Sequence, residues 1–288
     1  MKNYVLFNPL AGNGRGEKSV NSVEIQKDEA VFLDMTEITD YKAFCETLLP
    51  QDKIIVCGGD GTLNRFINAI DGIELKNEIF YIGAGSGNDF LNDLNLKPTN
   101  KPLKINQYIK DLPKLEVKGK TYRFINGIGF GLDGYCCAER ERKMQNNKSA
   151  NYTLIALKAL LFGFKPQKAT VVADGKEYNY DRVWMVSTML GRFFGGGMMI
   201  APIQDRDNSQ GTLTVIVAHN MGKFKIVSLF LSIFGGKHLK YKKYVAVHTG
   251  HIINVKYEYP VPLQIDGEAI SGVLEYTVDA EKRMEIKK

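Results

Sequence analysis

Three short stretches concentrate the residue types that handle charge: GGDGTLN at 58–64, GAGSGND at 83–89 and QIDGEA at 264–269. In the first, Gly58, Gly59 and Gly61 surround an aspartate where a β-branched run meets an apolar helical pattern. Glycine costs roughly 0.5–1 kcal/mol in regular structure, so something there must need bare backbone. A strand that ends in glycines and feeds a helix gathers unpaired N–H groups and the positive end of the helix dipole at one spot, which suits a phosphate. Gly58, Gly59 and Gly61 are then the cradle and Thr62 a hydroxyl donor near the helix start. Asp60 would repel a polyphosphate unless a divalent cation intervenes, so it argues for Mg²⁺, bound directly or through water. The plainer alternative is a turn in which Asp60 only caps the helix.

In the last stretch Asp266 and Glu268 stand two apart across Gly267. In an extended strand this spacing aims both carboxylates to one side. A DG dipeptide is more often simply a turn. Arg15 and Lys18 are candidate phosphate-facing cations, although a surface position is the commoner fate of a single Lys or Arg.

The elements that must position these residues follow from periodicity. YVLF at 4–7, AVFLDM at 30–35, KIIVC at 53–57 and IFYI at 79–82 read as short buried strands, with YKAFCETLL and TLNRFINAI as helices between them. Alternation of strand and helix implies a parallel sheet covered by helices, with ligands outside the carboxyl ends of its strands. The glycine-rich turns NPLAGNGRG, GGDGTLN and GAGSGND stand at three of those ends.

Beyond about residue 113 the texture changes to alternating aromatic and β-branched segments with DG, KG and NS turns, which suggests an antiparallel, sandwich-like or barrel-like domain. Helices are expected at about 137–162 and 222–235. Pro98, Pro102 and Pro113 mark a linker, giving domains 1–113 and 114–288, with the last residues able to return to the first domain.

The 288 residues, 44% hydrophobic and 24% charged, have a formal net charge of +6, which suits anionic partners without choosing among them. Basic residues are spread and no helix-turn-helix or RNA-binding signature occurs, so nucleic-acid binding is disfavoured. Cys45, Cys57, Cys136 and Cys137 show no CxxC spacing, which speaks against a zinc site or a disulfide framework. No signal segment and no apolar run of membrane-spanning length is seen, so a cytoplasmic location is expected.

GGDGTLN, with NPLAG before it and GSGNDF after it, resembles the catalytic domain of the diacylglycerol kinase and sphingosine kinase family, specifically its soluble bacterial lipid kinases. The resemblance continues through INGIGFGLDG at 125–134, GRFFGGGMMIAP at 191–202 and QIDGEA, and so covers nearly the whole chain in order. It implies an α/β nucleotide domain, a β-rich lipid-substrate domain, an active site in the cleft, and transfer of the γ-phosphoryl group of ATP to a lipid hydroxyl, most simply that of diacylglycerol. Carried over, the nucleotide site comprises Asn8, Pro9, Gly12, Thr36, Gly59, Asp60, Gly61, Thr62, Asn64 and Ser86. Asn88 and Asp89 match an ND pair whose aspartate is implied in a water-bridged Mg²⁺ network with Asp60. The proton acceptor is implied to lie in the DGE segment, at Asp266 or Glu268. The family's NAD kinase-like relatives, and a non-catalytic nucleotide- or lipid-binding regulator, are the rival readings.

Two departures from the pattern stand out. A structural Mg²⁺ segment resembling DxxDGxLD reads DRDNSQGTLT here: Asp207 is retained, Gln210 and Thr214 replace two aspartates, Gln210 can offer one neutral oxygen and the Thr212 carbonyl remains available, so a cation is expected to bind more weakly. The acidic residue usual before the INGIG strand has no clear counterpart, Glu116 being the nearest. MGKFKIVSLFLSIFGGKHLKYKKY at 221–244 is either a core-facing helix with a basic strand or a segment for the headgroup layer of a membrane. SANYTLIALKALLFGFK at 149–165 could wall an acyl-chain pocket. A lipid substrate at a membrane surface, transient contact with the inner face of that membrane, and a homodimer are the expected partners.

Overall fold

The computed structural model describes residues 1–9, 30–85, 87–145, 155 and 158–280. Gly12, Arg15, Lys18 and Ser86 lie outside the described residues, as do most of the segment 146–157 and the last eight residues. Two compact units are formed, Met1–Lys110 and Asp111–Lys288.

In the first unit, β1 (Asn3–Phe7), β2 (Ala30–Asp34), β3 (Lys53–Gly58), β4 (Glu78–Gly83) and β5 (Leu103–Lys104) form one sheet in the order β2-β1-β3-β4-β5. The first four strands pair in parallel, with Phe7 opposite both Asp34 and Cys57 and Gly58 opposite Gly83. The short edge strand β5 runs antiparallel, because the chain doubles back after β4. Helix α1 (Tyr41–Glu46) starts where the Asp40 side chain accepts the Ala43 amide. Helix α2 (Asp60–Ala69) follows β3 directly and buries Leu63, Phe66 and Ile67, which recur at helical spacing, against the sheet. Val5, Ile55, Cys57 and Ile82 pack together as one cluster of the core. Helices α3 (Asp89–Asp93) and α4 (Asn106–Ile109) are a turn or so each.

The second unit is built on a ten-stranded sheet whose pairings are all antiparallel. Its strands are β6 (Lys114–Val117), β7 (Lys120–Arg123), β8 (Gly127–Gly131), β9 (Gln167–Ala173), β10 (Lys176–Val183), β11 (Met185–Met189), β14 (Leu213–Ala218), β15 (Val245–Gly250), β16 (Ile252–Ile265) and β17 (Glu268–Asp279). The long β16 pairs β9 through residues 253–257 and β8 through 263–265, and its register with β17 breaks between Lys256 and Leu263. Pro260 and Pro262 fall in that break, where a residue without an amide hydrogen fits. A strand that changes partners at such a break turns the corner of a sandwich-like fold.

Three hairpins close on Lys118-Gly119, Asp174-Gly175 and Asp266-Gly267, each with positive φ at both turn residues, the geometry whose twist matches paired strands. The glycines of GRFFGGGMMIAP make a further hairpin: Gly195, Gly196 and Gly197 all have positive φ and join β12 (Phe193–Phe194) to β13 (Met198–Met199). Helix α5 (Leu132–Gln145) begins five residues before the expected 137, because β8 runs straight into it through Gly131 at φ 98°. It approaches β16 so closely that a Cβ on Gly134 would lie 2.1 Å from the Pro262 carbonyl oxygen. A π-helical turn covers Ala159–Gly163, and α6 (Lys223–Ile233) lies within the expected 222–235. All four cysteines are free and buried, and no described helix is long and apolar enough to cross a membrane.

Candidate active site

The carboxyl ends of β1, β2, β3 and β4 put Asn8 and Pro9, Thr36, Gly59 and Ala84 along one edge of the first sheet. Strand order reverses between β1 and β3, so α2 begins at the topological switch point where open sheets receive ligands. Gly59 caps α2 without a side-chain hydrogen bond of its own, and the first-turn amides of a helix start point where an anion would sit.

The glycines are also explained by packing. A Cβ on Gly85 would lie 2.6 Å from the Gly59 Cα, so the second and third turns touch backbone to backbone. A Cβ on Gly58 would strike the Thr62 side chain at 2.5 Å. Thr62 is buried there, its side chain packed beside Gly58 at the start of α2.

Asp60 joins the same two turns. Its Oδ2 accepts the Asp89 amide at 3.1 Å and its Oδ1 accepts the Phe90 amide at 2.9 Å. It therefore caps a helix, but α3 rather than its own. Asn88, at φ 50°, closes the third turn by accepting the Gly85 amide and donating to the Gly85 carbonyl. Asp89 is buried, and burial together with Asp60, Cys57 and Asp89 raises the pKa of Tyr81, whose hydroxyl donates to the Gly58 carbonyl at 2.9 Å. Asn64 is buried one turn into α2, where the Asn68 amide donates to its Oδ1. Thr36 is exposed at the sheet edge, with its hydroxyl and amide both donating to Asp34.

For Mg²⁺, the two amide donors do not by themselves exhaust a carboxylate with about four acceptor positions. Asp60 thus suits an ion reached through water and shared with phosphate oxygens, the usual habit of Mg²⁺. No cluster of three or more His, Cys, Asp or Glu side chains that could hold a metal forms among the described residues.

The second unit separates Asp266 from Glu268. The chain does not stay extended there, so the two carboxylates do not share a side: Asp266 and Gly267 form the turn between β16 and β17. Asp266 is 5% exposed. Its Oδ2 accepts the Ile125 amide at 2.7 Å, its Oδ1 accepts the Asn126 and Gly127 amides at 2.9 Å each, and its own amide donates to the Gly127 carbonyl. It is a clasp between the hairpin and the entry to β8. Glu268 is exposed on the other side of the turn, and no hydrogen bond or ion pair among the described residues engages its carboxylate.

Around this hairpin stand further residues outside the expected site: Arg206 and Glu141 carry no motif signal, whereas Gln264 and Asp133 fall within QIDGEA and INGIGFGLDG. Buried Arg206 donates to the Ile125 carbonyl at 2.7 Å, gripping from one side the loop that Asp266 grips from the other. Glu141, on α5, accepts the Ala269 amide at 2.9 Å; burial and then the like charge of Glu268 raise its pKa. Gln264 Oε1 accepts the Gly267 amide, while its buried Nε2 finds no partner among the described residues. Buried Asp133 accepts from Ser187 at 3.3 Å, and desolvation pushes its pKa to about 7. The segment expected to wall an acyl-chain pocket lies in part outside the described residues; Ile155, Lys158 and Gly163 border a shallow cavity of about 280 Å³ that the charged Glu139 and Lys143 also line. Glu116 is exposed on β6, paired with Lys114.

The loop expected to hold a structural Mg²⁺ does not fit one. The Thr212 carbonyl, read as a remaining ligand, is taken by the side-chain amides of Gln204 at 3.2 Å and Asn208 at 2.9 Å. The same two amides donate to the Asp205 carbonyl, and Gln204 also reaches the Leu190 carbonyl and accepts the Thr214 hydroxyl. Asp207 and Gln210 are exposed, and the Gln210 carbonyl lies 2.7 Å from His251 Nε2. Amide hydrogens close the loop where a cation would.

Comparison with known proteins agrees with this architecture. Residues 2–115 match the model of the diacylglycerol kinase catalytic domain, and residues 126–281 match that of the YegS C-terminal NAD kinase beta sandwich-like domain. A diacylglycerol kinase of Mycobacterium tuberculosis is 25% identical over 82% of this chain and 79% of its own length. A diacylglycerol kinase of Bacillus subtilis is 22% identical over 92% and 88%. A solved diacylglycerol kinase structure from Bacillus anthracis superposes with a TM-score of 0.60 at 18% identity, covering 96% of this chain and 93% of that one, and so shares the fold. With its catalytic-domain sheet followed by the sandwich-like domain that presents the DGE hairpin, the chain belongs to the bacterial diacylglycerol kinase-like family of lipid kinases.

Proposed function

We propose that this kinase transfers the γ-phosphoryl group of ATP to a lipid hydroxyl, with diacylglycerol as the acceptor and phosphatidic acid as the product. The observation that carries the reading is the division of labour in the DGE hairpin. Asp266 fixes the turn through three buried amides, and Glu268 is thereby presented to solvent on a rigid element. A rigidly held, accessible carboxylate is what general-base catalysis on an alcohol requires.

In this reading the amides at the start of α2, with Gly59 and Gly61, bind the nucleotide phosphates, and Asn8, Pro9 and Thr36 border the nucleotide along the sheet edge. Glu268 accepts the hydroxyl proton as the lipid oxygen bonds to phosphorus and the bond to ADP breaks. Positioning and charge neutralisation supply most of the barrier reduction in such transfers. Mg²⁺, held through water by Asp60 and Asp89, neutralises phosphate charge when bound. Asp60 also keeps the second and third turns at a fixed separation, so the phosphate cradle does not depend on the ion for its shape.

The experiment is transfer from γ-labelled ATP with Mg²⁺ to a panel of dispersed lipids, run beside NAD. Label in diacylglycerol, lost in Glu268→Gln, is the expected result. Label in NAD alone would move the chain to the NAD kinase-like reading, and ATP binding without label anywhere would make it a binding protein.

A further inference from the structure

We propose that α6 and the turn behind it form a docking surface for an anionic phospholipid bilayer, an inference that rests on the lipid-kinase reading and names how the protein reaches its substrate. Helix α6 is apolar on two faces. Ile226, Leu229, Phe230 and Ile233 are buried in the second unit. On an adjoining face Phe224 is 90% exposed, Leu231 63% and the C-cap Phe234 41%, with Val227 half-buried between them and the Phe234 ring 5.9 Å from that of buried Phe230. Positions 224, 227, 231 and 234 recur at helical spacing, so they form one stripe. An apolar stripe left in water needs a reason, and the core does not supply it, because the core already has the other face.

Charge selects the occupant. From 221 to 244 there is no aspartate or glutamate, while Lys223, Lys225, Lys237, Lys240, Lys242 and Lys243 are all exposed. Lys225 Nζ lies 3.0 Å from the Tyr244 hydroxyl and 4.3 Å from its ring centroid, which gathers the basic flank around an aromatic residue beside the helix. The short 3₁₀ turn Lys237–Lys240 is anchored by buried His238, whose Nε2 lies 2.8 Å from the Ile200 carbonyl oxygen. Gly236 packs on Met199 and Pro202, and the next residue, Ile203, is 58% exposed. Exposed aromatic and aliphatic side chains ringed by lysines are the composition of an interfacial helix. A second copy of this chain on the same face would set lysine against lysine, and an uncharged partner would leave them unused.

The test uses the full chain with vesicles of phosphatidylcholine and phosphatidylglycerol in equal parts, beside vesicles of phosphatidylcholine alone, read by co-sedimentation. Binding to the anionic vesicles is expected and should fade at high salt as the charges are screened. The double substitution Phe224→Ser with Leu231→Ser should weaken it by on the order of tenfold or more, and Lys242→Gln or Lys243→Gln by about fivefold each, with melting temperatures unchanged. Equal binding to both vesicles, or a double variant that binds like the parent, would overturn the proposal. So would sedimentation velocity showing a dimer that the double variant splits while vesicle binding persists. Transfer to a short-chain, monomeric diacylglycerol is read in the same samples. A double variant that loses vesicle binding but keeps this transfer supports the surface. Vesicle binding with no transfer to any lipid would sink the kinase reading and leave the surface standing.

Discussion

The Asp60 carboxylate accepts the backbone amide of Asp89 at 3.1 Å, so the aspartate of one glycine turn is the helix cap of the next. On the proposed reading, structural and chemical duties meet in this side chain. Asp60→Ala removes the tie to both Asp89 and Phe90 and should cost about 1–3 kcal/mol of stability in addition to phosphoryl transfer. Asp60→Asn keeps one acceptor oxygen but loses the charge. It should recover much of the stability and little of the transfer, measured by denaturant unfolding beside the labelled-ATP assay. Equal recovery of both would mean that the residue acts only as a cap.

Asp266 and Glu268 should fail in opposite ways. Asp266→Asn leaves the left-handed turn tolerable but can satisfy the three amides of residues 125–127 only in part, so a loss of about 3 kcal/mol is expected, with transfer falling as the hairpin loosens. Glu268→Gln is exposed and should move stability by about 0.5 kcal/mol or less, while transfer drops by about 10²–10⁴. Full activity in Glu268→Gln would remove it as the base.

The same dipeptide shows how far sequence carries. Asp-Gly at 174–175 and at 266–267 make the same hairpin turn, and both aspartates accept backbone amides, from His251 and Ile252 in the first case and from Ile125, Asn126 and Gly127 in the second. Local chemistry predicts both turns. It cannot say that the second aspartate is consumed by a loop about 140 positions earlier, because that depends on which strand becomes the neighbour of β16. The parallel sheet and its glycine-rich edge were legible, since a buried run of β-branched residues and a helical period are local signals. Asp60 as the cap of α3, and the amides of Gln204 and Asn208 in the cation's place, were not, because a carboxylate or an amide in sequence does not name its partner.

Burial of Asp133 has a pH signature. Its pKa is pushed from 3.8 to about 7 by desolvation, which the Ser187 hydroxyl only partly offsets. Below about pH 4 the group is protonated in both folded and unfolded chains, and it imposes no penalty. As pH rises from 4 to 7 the unfolded chain ionises first, so stability falls, by on the order of 4 kcal/mol in total, and above 7 the loss stays constant. Asp133→Asn should flatten this part of the stability profile, leaving other carboxylates to set the remainder. Identical slopes for parent and variant between pH 4 and 7 would place the charge in contact with water.

The loop at 204–214 makes an opposite prediction to that of a resident metal. Gln204 is 5% exposed and its amide spans the carbonyls of Leu190, Asp205 and Thr212. A metal chelator should therefore leave the melting temperature of the nucleotide-free protein unchanged, whereas Gln204→Ala strands buried carbonyls and the Thr214 hydroxyl and should cost about 2–4 kcal/mol. Returning acid to the loop tests the same point from the other side. With Gln210→Asp and Thr214→Asp together, Thr214 at 2% exposure would become a buried charge. That variant should be destabilised without Mg²⁺ and regain stability as Mg²⁺ is added, because only then does a cation have a task the amides do not already perform. A parent protein whose melting temperature falls on chelation would contradict the hydrogen-bonded closure of the loop.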